Sequence, residues 1–270
     1  MKKLCLLFIL VPYLCLSQTD SLRRKKIGWQ FSFPFEPGLS YYLPERNKGR
    51  PEFAHLLNNR ELIGTHMQIG SFQLQFYDRF FIEAAADFDN IGFKEGGALK
   101  ELQDLNPDYF IQARSEYGEP EGAADGRYAS SIRCFRLGAG YNILLKQYLY
   151  LKPSAAFNAG YAALPSTKYV FKEYTSNNFF TNTYSYGKLK SSGFTVGICF
   201  SRYMPSDNIN IIPLWGIKLD YSRMIVKGEG KITQTRLYQP DVESFVPVND
   251  KFQYITLSIF LGLSGKRDKR

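Results

Sequence analysis

A chain of 270 residues, 44% hydrophobic and 16% aromatic, is long enough to bury a sizeable core. Its net charge of +9 does not point to nucleic acid: Arg23, Arg24, Lys25 and Lys26 near the start and Lys266, Arg267, Lys269 and Arg270 at the end carry most of it, and no basic groove is arranged between them. Past the N-terminus no stretch has 18 uncharged apolar residues, which excludes a membrane-spanning helix.

The chain opens with Lys2 and Lys3, a short apolar run from Leu4 to Leu16, and Ser17 before Gln18, the order of a secretory signal peptide over residues 1–17. Cys15 follows the bulky Leu14, which does not favour a lipoprotein signal. Residues 18–26 then read as a basic periplasmic segment, and 265–270 as a basic periplasmic tail. Between the two, residues 27–264 alternate in the manner of strands.

In strand one, Ile27, Trp29, Phe31, Phe33 and Phe35 oppose Gly28, Gln30, Ser32, Pro34 and Glu36. A polar stretch from Leu43 to Glu61 leads to strand two, Thr65 to Phe76, where Met67 and Ile69 are out of phase with Phe72, Leu74 and Phe76, predicting a bulge near Gly70. Tyr77, Asp78 and Arg79 turn into strand three, with Ile82, Ala84, Ala86 and Phe88 on its apolar face. The insertion from Asp89 to Arg127 holds nine acidic residues against four basic ones and a predicted short helix at Ala98 to Leu105.

Strands four and five form a hairpin from Arg133 to Tyr161 that turns at Lys146 and Gln147. A protruding hairpin turning at Asn177 and Asn178 is predicted within Ala162 to Lys188, before strand six, Gly193 to Ser201. Pro205 to Asn208 turn into strand seven, which carries Trp215, Ile217, Leu219 and Tyr221. The last long loop, Val226 to Asp250, reads as a second protruding hairpin turning at Pro240 and Asp241, and strand eight runs from Phe252 to Leu263. Cys134 and Cys199 fall at different depths, so no disulfide is expected.

Eight strands joined alternately by four long and three short connections place every long loop at one end and both termini at the other. One face carries bulky Phe, Leu, Ile and Trp; the other mixes Gly and Ala with Glu83, Arg136, Lys152 and Lys218. A soluble eight-stranded barrel has the opposite polarity, apolar inside. Trp29, Phe76, Tyr77, Tyr148, Tyr161 and Tyr203 near strand ends read as interfacial girdles. This layout resembles the small eight-stranded outer-membrane β-barrel proteins, the porin-like superfamily of Gram-negative bacteria. The resemblance implies an all-β, antiparallel up-and-down transmembrane barrel with long external loops, in contact with outer-membrane lipid and lipopolysaccharide. Its members include adhesins, membrane tethers, secretion accessories and a few lipid-modifying enzymes, and this chain shows no signature motif among them.

An eight-stranded barrel is just wide enough for side chains to fill it. Glu36, Glu83, Asp87, Arg136, Lys152, Lys218 and Asp220 fall on the inner face, which predicts an ion-pair network, either a plug or a narrow gate. Catalysis has little support: of His55 and His66, only His66 has Glu61 and Thr65 nearby, a loose basis for a lipid A acyl-modifying site, so no catalytic residues are assigned. No metal or cofactor is expected, since the acidic insertion lacks regular ligand spacing and reads as a solvated loop, the alternative being divalent cations through which it contacts lipopolysaccharide. The hairpin carrying Tyr169, Phe171, Tyr174, Phe179, Phe180, Tyr184 and Tyr186 offers an aromatic surface for a protein or glycan, or merely stabilises its own cross-strand pairs. The expected role is structural or surface interaction through the external loops, the alternatives being an accessory subunit of a secretion or assembly complex acting through its tails and the lipid-modifying enzyme.

Overall fold

The structure, a computed structural model, describes residues 27–32, 36–43, 62–76, 79–114, 127–146, 148–164, 166–176, 178–204 and 211–265. The predicted signal peptide, the basic segment 18–26, residues 266–270 of the basic tail, His55 and Glu61 lie outside the described residues.

Thirteen strands and one helix are present among the described residues. The first predicted strand is two collinear pieces, β1 (Ile27–Ser32) and β2 (Glu36–Tyr42), which share the neighbours β3 (Ile63–Phe76) and β13 (Val242–Gly265). From β3 the ring continues through β4 (Phe80–Lys94), β6 (Arg127–Tyr141), β8 (Leu149–Ala163), β11 (Leu189–Tyr203) and β12 (Ile211–Arg236), which returns to β13. All these pairings are antiparallel, so eight staves close into a barrel without a free edge. A short strand, β7 (Ile143–Lys146), finishes the β6–β8 hairpin, whose turn holds Tyr148 at φ 65°.

The bulge in β3 lies where the phase slip predicts it. The register against β4 shifts between Ile69 and Phe72, with Gly70 at φ 62°. One extra residue restores the alternation, so Met67 on one side and Phe72 and Leu74 on the other all face outward.

The long connections are mostly folded. β12 and β13 remain paired well past the barrel, from Val226 opposite Asp250 to Gln234 opposite Val242, so the predicted second hairpin is present as a continuous extension of two staves. β9 (Thr167–Glu173) and β10 (Phe179–Tyr186) form the predicted hairpin, and β10 pairs along β12 from Phe180 opposite Arg236 to Tyr186 opposite Gly230. The acidic insertion contributes α1 (Glu95–Leu105) and β5 (Tyr109–Arg114), and β5 adds to the edge of β9. The result is a five-stranded cap sheet, β13-β12-β10-β9-β5, standing on one side of the barrel. No local alternation announced β5 or the joining of two separate hairpins into one sheet.

Candidate functional site

Inside the barrel, strand parity brings the charged residues of five staves together. Arg136 on β6 is 2% exposed; its Nη1 donates to Asp220 Oδ2 at 2.6 Å and lies 3.8 Å from Asp87, while its Nε is 3.6 Å from Glu83. Lys218 on β12 donates to Gln68 at 3.0 Å and stands 3.4 Å from Glu83, 3.7 Å from Asp220 and 3.9 Å from Glu36. Gln73 donates to Glu83 at 2.8 Å and Gln68 to Asp87 at 2.9 Å, so amides share in solvating the carboxylates. A Cβ built on Gly197 would collide with the Asp220 carboxylate, and one on Gly140 with the Phe81 ring; the bare glycines are what admit these side chains.

Lys152 stands lower. It is buried, its Nζ 3.4 Å from the Tyr203 hydroxyl, and it shares with Glu83, Glu36 and Lys218 a cavity of about 20 Å³, room for about one water. Tyr203 is therefore not part of an outer girdle. It points into the lumen, receives a bond from Gln75 and meets Tyr150 edge-on at 5.1 Å. Its place near a strand end was misleading; the alternation along β11 that turns Thr195, Gly197 and Cys199 inward turns Tyr203 inward as well. The side chains of Trp29 and Tyr77 lie outside the described residues, while Tyr148 and Tyr161 are exposed.

Above the charges, His66 Nδ1 meets Asp89 Oδ1 at 2.7 Å, Tyr254 donates to Asp89 Oδ2 at 2.9 Å, and Ser40 contacts Thr256 at 2.8 Å. Thr65 and His66 point to opposite faces of β3, so these two members of the loose grouping do not face one site, and Glu61 lies outside the described residues. Higher still the inner wall becomes apolar: Tyr42, Ile91, Ile132, Leu189, Met224, Val226, Val248 and Phe252 pack into one buried cluster. A charged layer and an apolar layer thus fill the described lumen in series.

The outer wall has the reverse chemistry. Leu39, Ile63, Phe80, Phe135, Leu137, Phe157, Phe200, Leu219, Leu257, Ile259 and Leu261 are each more than half exposed, and on β13 the belt from Ile255 to Leu263 is nine residues long, the length of a tilted membrane strand. Water would not tolerate so continuous an apolar surface around a closed ring. The chain is an outer-membrane β-barrel. No family model matches the sequence, and no curated protein matches it. Among solved structures it is similar to a major outer membrane protein of Thermus thermophilus (10% identity, TM-score 0.35, 88% of this chain and 98% of that one), to the outer membrane protease OmpT of Escherichia coli (10%, 0.32, 93% and 99%) and to the outer membrane protein AlkL (12%, 0.25, 93% and 96%). At these TM-scores the likenesses add nothing to the argument from closure and polarity.

The cap of this outer-membrane barrel has its own core. α1 lays Ala98 and Leu102 on Ile111, Tyr169, Phe171, Tyr184 and Val246, and Leu164 and Tyr186 join this cluster to the apolar layer below. Gln103 on α1 ties the helix to β5, donating to the carbonyl of Tyr109 and accepting from Ile111 N. Phe171 stacks on Phe180 at 4.8 Å, and Tyr169 meets Tyr184 edge-on. Burial, with the neighbouring Tyr169 and Tyr184, pushes the Tyr186 phenol well above its ordinary value. Tyr169, Phe171 and Tyr184 are thus core, unavailable to a partner, because their face continues the barrel's inner wall and α1 covers it. Tyr174 and Phe179 lie on the uncovered side, 63% and 50% exposed. The register sets Phe110, Lys172 and Phe179 in one row across β5, β9 and β10 on that side. Among the described residues no cluster of metal-ligating side chains occurs.

Proposed function

We propose that this is a surface protein of a Gram-negative bacterium, acting by interaction through its cap. The observation that carries the reading is that the long connections fold into a sheet and helix with a core of their own, holding Phe110, Lys172, Tyr174 and Phe179 as a fixed patch on the uncovered face. Exposed aromatics flanking a cation on a rigid support are the composition of a contact surface for a protein or a glycan, because little conformational freedom is lost on docking. The charged and apolar layers packed in the lumen support the same reading, since they occupy the space a diffusion pathway would need.

The test is crosslinking in cells that display the native chain or the variant Phe110→Ser/Tyr174→Ser/Phe179→Ser, with identification of what is captured and a glycan array in parallel. One partner captured by the native chain and lost by the variant is the expected result. Equal capture by both would remove the patch from the account.

A further inference from the structure

The outer wall just above the apolar belt carries a feature that neither the fold nor the cap requires. Across five adjacent staves the register sets Arg133 on β6 opposite Tyr161 on β8, Tyr161 opposite Lys190 on β11, Lys190 opposite Lys227 on β12, and Lys227 opposite Asn249 on β13. Arg133, Tyr161, Lys190 and Lys227 all point outward and are exposed. The row stands one outward residue above Phe135 and two above Phe194 on their strands, which at ~3.3 Å per residue is about the height of lipid head groups.

Among the described residues, no ion pair to a carboxylate is formed by Arg133, Lys188, Lys190 or Lys227. Lys190 and Lys227 are direct cross-strand neighbours, their Cβ atoms about 5 Å apart, and like charges so placed repel. Tyr161 and Asn249, which flank them, bring no negative charge. Lys188 adds a third ammonium, its Nζ 4.0 Å over the Tyr161 ring. Below Lys227 on the same strand, Arg223 is half-buried with its Nε unpaired. Glu229, next above Lys227 on the same face, is the acidic side chain that adjoins the row among the described residues. Beside Tyr161 the wall is concave: a groove of about 470 Å³ is lined by Ser131, Arg133, Tyr161 and Lys188 where β11 leaves the cap.

We propose that this row is a binding site for the phosphate of a phosphorylated glycolipid in the outer leaflet, the head-group chemistry of lipopolysaccharide. Arg133, Lys188, Lys190 and Lys227 supply the charge and Tyr161 a hydroxyl and a ring, while the acyl chains lie along the Phe135, Phe157 and Phe194 belt below. A phosphate between Lys190 and Lys227 turns their repulsion into two charge-assisted contacts. The inference rests on the outer-membrane surface reading above and gives that surface a lipid partner distinct from the one at the cap.

The test is a titration of the full chain in phosphatidylcholine bicelles with bisphosphorylated lipid A, with its dephosphorylated form and with inorganic phosphate, read by native mass spectrometry. Basic residues near a membrane surface contribute about fivefold each, so Lys190→Gln/Lys227→Gln should bind lipid A about thirtyfold more weakly, while Lys100→Gln on the exposed side of α1 changes nothing. The same double variant should be more heat-stable than the native chain without lipid A and gain less from adding it. If it does not fold, Arg133→Gln/Lys188→Gln reads the same site from its other end. A loss under fivefold, equal binding of the dephosphorylated lipid, or inorganic phosphate binding as tightly as lipid A would overturn the proposal. A native chain that inserts into bicelles but holds no lipid A defeats the site alone; one that fails to insert defeats the surface reading with it.

Discussion

The barrel and its cap are built from the same β12 and β13, yet they fill their interiors with opposite chemistry. Around Arg136 and Lys218 the inner wall is ionic and amide-rich; roughly 40 Å of strand further, by the ~3.3 Å rise per residue, the same wall meets Tyr169, Phe171, Leu102 and Val246 and is apolar. The difference follows from what surrounds each part. Within the membrane the outer wall must be apolar, and alternation leaves the lumen to polar side chains. Beyond it β12 turns Lys227, Glu229 and Lys231 outward, and the same alternation turns the inner wall into an ordinary hydrophobic core. The inversion of polarity therefore marks, on each stave, where lipid ends.

The largest effect that would sharpen this comparison comes from the lumen. Arg136→Leu leaves Asp220 and Asp87 buried without their nearest cation and Glu83 with Lys218 alone, which should cost about 3–5 kcal/mol in urea unfolding from lipid vesicles. A loss under about 1 kcal/mol would show that water reaches these carboxylates. In the cap, Phe171→Ala should cost a similar amount, about 3–5 kcal/mol, but locally: limited proteolysis would cleave the β9–β10 hairpin while the barrel keeps its unfolding midpoint. Co-unfolding of barrel and cap would mean that they are one cooperative unit.

Smaller effects separate the two regions by mechanism. Gly197→Ala drives a methyl group into Asp220 and should destabilise the barrel by about 1–3 kcal/mol without affecting the cap. Alkaline pH acts on the cap instead. Since the folded protein holds the Tyr186 proton more tightly than the unfolded chain does, the unfolded state binds fewer protons as pH rises through the ordinary tyrosine value, and the cap's stability should fall there. Tyr186→Phe should flatten that fall. Least of all, Glu243→Gln breaks the exposed pair with Lys231 at 2.5 Å and should shift stability by no more than about 0.5 kcal/mol.

Much of the barrel was legible because alternation is local. The slip between Ile69 and Phe72 betrays the bulge at Gly70, and the inward parity of Glu83, Arg136 and Asp220 can be counted from the turns. Which charges touch is not legible, since Arg136 on β6 meets Asp220 on β12 across the lumen, and Gln68 and Gln73, which bridge the network, look like any polar residues on a strand. Tyr203 was misassigned because a tyrosine near a turn serves equally as girdle or plug. The apolar ring of Ile132, Leu189, Met224 and Val226 escaped because sequence alternation does not say where the membrane stops. The cap escaped most: β5 and the β10–β12 pairing join segments far apart in the chain, and no short window records that.

The most direct test of a folded cap above a filled barrel is hydrogen–deuterium exchange on the full chain in lipid nanodiscs. Amides of β5, β9, β10 and the outer halves of β12 and β13 should be protected by several orders of magnitude over free-chain exchange, in a unit distinct from the more protected barrel. Exchange of these segments at free-chain rates would contradict the account, leaving the external connections as unstructured loops with no fixed surface to present.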